Sequence, residues 1–188
     1  MIEGLLDLAS AFGLSTSAGL NAYIPMLTVA LLGRFTNLVQ FEEPWSALSS
    51  WWIIGLLTVL LVIETVADKI PAVDSANDII QTLIRPTAGA ILFAAQTQNM
   101  LRLHPVLAMA CGIVLAGSVH AVKTGARPVV TATTAGMGNP IESTLEDLIA
   151  TVTSLVAVIF PYLMIFWLLL CIALIVLFIR WRRGRARR

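Results

Sequence analysis

The sequence predicts an all-α fold, a polytopic bundle of about six transmembrane helices. The first reason is composition, because 58% of the 188 residues are apolar and only 12% are charged, whereas a soluble domain has about 25% charged residues. The second is the mean hydropathy of +0.88, since a chain of this size cannot bury so much apolar surface and the excess must face lipid. A soluble globular protein is therefore excluded, and the apolar runs define the expected spans.

The first expected span, residues 10–33, has a polar and glycine-rich interior. Asn21 lies near its middle, with Gly19 before it and Pro25 after it. An amide in hydrocarbon needs a hydrogen-bond partner, which leaves two interpretations. Either the helix breaks here and exposes carbonyls to a substrate, or Asn21 makes an interhelical hydrogen bond.

The next elements follow from hydropathy and proline placement. Residues 51–67 form the second span, with tryptophans as interfacial anchors. Residues 72–85 form an amphipathic helix, because their charged and apolar side chains separate onto two faces. Pro86 then opens or kinks a third span that ends near Gln98, and residues 105–122 form the fourth.

The last part of the body is less regular. Between Lys123 and Pro140 the composition changes to glycine, threonine and proline, which indicates an ordered or re-entrant loop. We expect residues 141–180 to form two spans that turn at Pro161. A single long helix kinked there is the alternative and would give five spans.

Charge placement orients the chain in the membrane. Six of the twelve basic residues lie in the predicted cytoplasmic tail, residues 180–188, after a transmembrane domain of residues 1–179. With six spans both termini are cytoplasmic. The positive-inside rule favours this count because four cations of the body then lie on the same side of the membrane as the tail: Lys69, Arg85, Lys123 and Arg127. We expect a multi-pass protein of the cell membrane, with lipid as a partner. The tail lacks the folded domain with which proteins recognise nucleic acid, so we expect no nucleic-acid partner.

A repeated pattern within the sequence predicts a duplicated architecture, with repeat units 10–85 and 86–155. The triplet Ser17–Gly19 resembles Thr87–Gly89, and the pattern Pro71–Asp78 resembles Pro140–Asp147. The two pairs are separated by nearly the same number of residues. Transporter folds often contain such repeats. The alternative is coincidence among apolar residues.

Four carboxylates form the densest polar group of the sequence. Glu64 and Asp68 are one helical turn apart, and so are Asp74 and Asp78. Together they could bind a cation, relay protons or form a purely structural ionic corner, and Asp74 is also placed to cap a helix that follows Pro71. We predict these four residues as the group that couples an ion or a proton.

A cationic group lies in the second half, where His120, Lys123 and Arg127 precede the glycine-rich segment. Backbone amides and cationic side chains there could hold an anion. We predict these three residues, with Asn21, as the substrate-binding group. The basic and acidic groups could instead pair with each other, and a capping box accounts for Ser143 with Glu146.

Five segments carry a family resemblance: Ser17–Pro25, Glu64–Asp78, Arg85–Gly89, His120–Pro128 and Asn139–Pro140. In this order they resemble a bacterial integral-membrane family known only as a domain of unknown function. The resemblance covers most of the chain except the arginine tail. It implies a polytopic inner-membrane protein of this length and brings no substrate or reaction with it.

The sequence therefore predicts a small membrane transporter or permease, assembled as a homo-oligomer, that moves an ion or a small anionic solute through a polar intramembrane site. One alternative is a membrane enzyme or binding protein that uses a divalent metal to hold a phosphorylated lipid headgroup. Another is a structural scaffold subunit. The common enzyme motifs are absent and no cofactor is expected. His104 and His120 are too far apart in the sequence to indicate a zinc site.

Overall fold

The computed structural model describes residues 2–68, 71–98, 103–134, 138–170 and 180, with side chains in the range 71–98 from Asn77 onward. All regular structure in these ranges is helical, which confirms the all-α class. The elements are α1 (Ile2–Leu20), α2 (Tyr23–Phe35), a 3-10 helix (Trp45–Ser49), α3 (Trp51–Ala67), α4 (Pro71–Thr97), α5 (Pro105–Thr134), α6 (Asn139–Ile159) and α7 (Pro161–Leu170). Apart from Arg180, the predicted basic tail lies outside the described residues.

Helix α1 is the centre of the bundle and packs against α4, α5 and α6. Its small side chains let the neighbouring backbones approach closely. Its hydroxyls donate hydrogen bonds to backbone carbonyls of other helices, from Ser10 to Ala157 (2.7 Å), from Ser15 to Gly89 (3.0 Å) and from Ser17 to Ala150 (2.9 Å). Helices α4 and α5 form an antiparallel pair, and the small-residue packing of the bundle continues between them.

The outer helices turn their polar sides inward and their apolar sides outward. Arg85 of α4, His120 of α5 and Ser154 of α6 are buried. Large apolar side chains on the same helices are exposed, among them Ile79, Leu83, Val114, Val122, Val129, Leu145, Leu148 and Val152, and Trp52 of α3 is 88% exposed. This is the reverse of a helix bundle in water, where the apolar stripe faces the core.

One helix in the described part of the chain, α5, is long and apolar enough to cross a membrane. Helices α6 and α7 pass the same test only as a pair, and they are bent by 118° where they meet. Length and composition thus indicate membrane association.

Several expected elements are confirmed as helices. Helix α3 begins and ends where the second span was predicted, and Ser50 caps it by accepting a hydrogen bond from the Ile53 amide. The first predicted segment is interrupted at Asn21, between α1 and α2. A break in front of Pro161 separates α6 from α7, as the sequence predicted for that proline.

The predicted loop between Lys123 and Pro140 is wrong, because α5 continues to Thr134 with Pro128 inside it. Two effects offset the poor helix propensity of this segment. Its threonines donate hydrogen bonds to carbonyls one turn earlier, for example Thr131 to Arg127 at 3.0 Å. Its cations are also held by ion pairs to neighbouring helices, and tertiary contacts of this kind override local propensity.

The separate amphipathic helix at 72–85 and the third span after it are one continuous helix, α4, with Pro86 inside it. The predicted boundary between the repeat units therefore lies within a helix. The capping assignments are also wrong. Helix α4 begins at Pro71, so Asp74 follows its first residue instead of preceding it, and the side chain of Asp74 lies outside the described residues. Ser143 lies within α6, which begins at Asn139.

Candidate functional site

The polar side chains predicted from both halves of the sequence meet inside the bundle. We call the following set the central polar network: Asn21, Glu64, Asp68, Asp78, Thr82, Arg85, His120, Lys123, Arg127, Ser143, Glu146 and Asp147. Its members come from α3, α4, α5, α6 and the α1–α2 break. Glu64 interacts electrostatically with Asp68 and Lys123 as well as with Arg85, so the contacts described below belong to one region.

Arg85 is the most deeply buried member of the network, with an exposed fraction of 0%. Its Nη2 donates to Glu64 Oε1 at 3.0 Å, and Glu64 is itself only 1% exposed. Its Nη1 lies 3.1 Å from His120 Nδ1. Sequence reasoning left Arg85 out of the predicted site residues and placed it at the end of the amphipathic helix 72–85, whereas the structure gives it the central position.

These contacts fix the tautomer of His120. A guanidinium can only donate hydrogen bonds, so His120 Nδ1 must accept one and carries no proton. The proton is then on Nε2, which lies 3.1 Å from Thr82 Oγ1, and that hydroxyl donates to the Asp78 carbonyl at 2.9 Å. His120 is therefore neutral in this arrangement, and a proton can bind at Nδ1 only if Arg85 moves away from it.

The other two cations of the predicted basic group are paired with carboxylates of neighbouring helices. Arg127 of α5 forms an ion pair with Asp78 of α4. Lys123 Nζ lies 2.7 Å from Glu146 Oε2 of α6 and donates to the Leu20 carbonyl at 3.3 Å. The basic and acidic groups thus meet as ion pairs, which was one of the interpretations left open by the sequence.

Asn21 organises the break between α1 and α2. Its Oδ1 accepts hydrogen bonds from the backbone amides of Tyr23 (3.0 Å) and Ile24 (3.1 Å), the first two residues of α2. Its Nδ2 donates to Asp147 Oδ1 of α6 at 2.9 Å. The break exposes the carbonyl of Leu20, the last residue of α1. This end of a helix carries negative partial charge, and Lys123 donates a hydrogen bond to the carbonyl. The helix break and the interhelical hydrogen bond considered from the sequence therefore occur together, and the exposed carbonyl is bound by Lys123.

Replacing Asn21 by aspartate separates these two roles. The variant Asn21→Asp keeps an oxygen for the α2 amides but turns a second carboxylate toward Asp147. We expect a loss of about 1–3 kcal/mol in the free energy of unfolding at pH 7. The loss should shrink at pH 5, because two facing carboxylates can share a proton. Unfolding by sodium dodecyl sulfate at both pH values measures it. The exposed Asn37→Asp is the control, and an equal loss at both pH values would contradict the assignment.

Asp68 is held by neutral donors. Its Oδ1 accepts from Asn77 Nδ2 at 2.9 Å and its Oδ2 accepts from Ser143 Oγ at 3.1 Å. Ser143, assigned from the sequence to a capping box, instead binds a carboxylate on another helix. Glu64, Asp68 and Asp78 therefore bind different partners, and the side chain of the fourth predicted carboxylate, Asp74, lies outside the described residues.

Some buried atoms near Arg85 have no hydrogen-bond partner in the described part of the chain: Glu64 Oε2, Gln81 Oε1 and Arg85 Nε. Buried polar atoms in proteins are nearly always satisfied, so this part of the network retains capacity for a water molecule or a small polar solute. Among the described residues, no group of three or more histidine, cysteine, aspartate or glutamate side chains is placed to hold a metal ion.

Sequence reasoning missed several members of the network: Thr82, Arg85, Ser143, Glu146 and Asp147. A signal for them exists in the spacing of polar residues along otherwise apolar helices. Asp78, Thr82 and Arg85 recur every three to four residues, as neighbours on one helix face do. If this face of the helix had been assigned to the interior of the bundle, Arg85 would have been included among the site residues.

Neither a curated protein nor a solved structure matches the chain. A family profile matches residues 8–181, nearly the whole chain. The chain therefore belongs to the family described as Domain of unknown function (DUF4126).

Proposed function

We propose that the chain is a small multi-pass membrane permease, with both termini on the cytoplasmic side, that moves a proton or a small cation through the central polar network. The observation that carries the proposal is the inverted polarity of α4, α5 and α6, whose charges face inward and whose large apolar side chains face outward. Lipid is the surrounding in which such a surface is stable. Ionisable residues inside a membrane protein are costly and usually mark a pathway.

The charge balance of the network favours a cationic species. Three cations, Arg85, Lys123 and Arg127, stand against five carboxylates: Glu64, Asp68, Asp78, Glu146 and Asp147. An anionic solute would have to displace Glu146 from Lys123 and Asp78 from Arg127. A proton or cation instead meets Asp68 and Asp147, whose partners within the described residues are neutral donors.

His120 supplies a coupling step for a proton. A proton bound at Nδ1 makes the imidazole a cation, which repels Arg85 and removes the acceptor that Arg85 uses. Arg85 then has to shift relative to Glu64, its partner on α3. Protonation of one buried side chain would thereby change the packing between α3, α4 and α5, as alternating access requires.

Proton flux into liposomes tests the proposal. Purified protein is reconstituted with a pH-sensitive dye inside, and a potassium gradient with valinomycin drives proton entry. We expect Glu64→Gln and His120→Gln to slow acidification by about tenfold or more, whereas the exposed Glu42→Gln keeps the parent rate. Each variant must first elute as a single species from size exclusion. The proposal would be overturned if the parent protein acidified liposomes no faster than empty liposomes do and also gave no flux of sodium or potassium ions.

The scaffold alternative is favoured by one observation, the pairing of each network cation with a carboxylate. A double variant, Glu64→Leu with Arg85→Met, distinguishes the two functions. A scaffold would keep its fold and its cellular role in this variant, because the pair would be purely structural. A permease would keep its fold but lose flux.

A further inference from the structure

Helices α5 and α6 both pack against α1 but make few contacts with each other. A groove is left between them, and Thr16, Ser17 and Leu20 of α1 form its floor. It contains two cavities, one of about 520 Å³ and one of about 410 Å³. Both are lined by Leu20 and Val119, so they adjoin. We call this feature the α5–α6 groove, and its size is that of a ligand site.

One end of the α5–α6 groove is polar and carries both signs of charge. Lys123, Glu142 and Glu146 line the smaller cavity. The Lys123 ammonium has three N–H donors. One is donated to the Leu20 carbonyl, and the ammonium also lies 2.7 Å from Glu146 Oε2 as an ion pair. Glu142 Oε2 is a buried atom without a hydrogen-bond partner in the described residues. This end therefore offers one N–H donor on a cation and one carboxylate oxygen that needs a donor.

The other end of the α5–α6 groove is apolar. Val152 and Val156 of α6 line the larger cavity together with Met164 and Trp167 of α7. Helix α7 reaches this position because the chain turns by 118° after α6. The groove thus passes from a charged end to an apolar end, which is the polarity of a lipid molecule.

We infer that the α5–α6 groove binds a phospholipid with a primary-amine headgroup of the ethanolamine type. Its phosphate would accept from Lys123, its ammonium would donate to Glu142, and an acyl chain would lie along Val152 toward Trp167. A choline headgroup has no N–H and would leave Glu142 Oε2 unsatisfied, which is costly for a buried carboxylate oxygen. The inference rests on the proposed membrane location of the chain and is independent of proton flux.

Native mass spectrometry of the full chain in detergent tests the inference. Dioleoyl phosphatidylethanolamine, phosphatidylcholine and phosphatidylglycerol are added in equal amounts. We expect the ethanolamine lipid to be bound about tenfold more than either competitor. Glu142→Gln should abolish that preference, and the exposed Glu3→Gln should keep it.

A second pair of variants tests the acyl-chain end. Val152 and Val66 are exposed to similar extents, 52% and 55%, but only Val152 lines the groove. Val152→Trp should reduce bound lipid to background by filling the groove, whereas Val66→Trp should not change it.

Three outcomes would overturn the inference: equal binding of the three lipids, loss of binding in Val66→Trp as well as Val152→Trp, or a dimer without lipid that Val152→Trp dissociates. The last outcome would assign the groove to a second copy of the chain. Selective lipid binding without any flux of protons, sodium or potassium would leave the inference standing and refute the permease alone, and flux without selective binding would do the reverse.

Discussion

The variant Arg85→Met should lose about 3–5 kcal/mol of the free energy of unfolding, the range measured when one partner of a buried ion pair is removed. Arg85 is fully buried, and its Nη2 lies 3.0 Å from Glu64 Oε1. Methionine nearly fills the same volume but leaves the Glu64 carboxylate without its cation. It also removes the donor to His120 Nδ1.

Unfolding in a detergent titration with sodium dodecyl sulfate, followed by circular dichroism, measures this loss. The double variant, Glu64→Leu with Arg85→Met, should recover most of it, because replacing both partners by apolar side chains removes the uncompensated charge. Arg34→Met is the matched control. Arg34 is exposed and lies 5.1 Å from the Trp51 ring centre, so its loss should be about 0.5–1 kcal/mol. Equal losses in Arg85→Met and Arg34→Met would show that the buried pair is not what stabilises the bundle.

The importance of Arg85 illustrates what the sequence could and could not predict about the site. The residue types and their burial in one region followed from the rule that charges at membrane depth face a bundle interior. The partners did not follow, because Glu64 and Asp68 share one helix end yet differ in what they bind. Glu64 binds Arg85 of α4, whereas Asp68 binds neutral donors on both α4 and α6. Partner choice depends on how helices far apart in sequence pack, and spacing within one helix does not encode it.

The same distinction applies to the fold, because features set by neighbouring residues were predictable whereas features set by contacts between distant helices were not. The break at Asn21 was predictable because glycine and proline flank an amide that needs partners. The helical continuation of α5 past Lys123 was not, because the segment is rich in glycine, threonine and proline, which favour a loop. Ion pairs from Lys123 and Arg127 to α6 and α4 stabilise the helix there, and both partners lie far away in the sequence.

The second large effect is expected where α4 and α5 cross. A Cβ added at Gly112 would lie 2.6 Å from the Gly89 carbonyl carbon, and one added at Gly89 would lie 2.7 Å from the Gly112 carbonyl oxygen. Both obstacles are backbone atoms, which cannot turn aside as the end of a side chain can. Gly112→Ala should therefore force α4 and α5 apart and cost about 3 kcal/mol or more.

Gly125→Ala is the matched control for this substitution because it changes the same residue type in the same helix. A Cβ at Gly125 meets nothing within 4 Å, so alanine should stabilise α5 by about 0.5–1 kcal/mol through its better helix propensity. Opposite signs of the two effects in the same titration would establish that backbone contact, and not propensity, requires glycine at position 112. If Gly112→Ala were also stabilising, α4 and α5 would have to cross farther apart. Because the Arg85–His120 and Arg127–Asp78 contacts join the same two helices, the ion-pair geometry on which the permease proposal depends would then have to change as well.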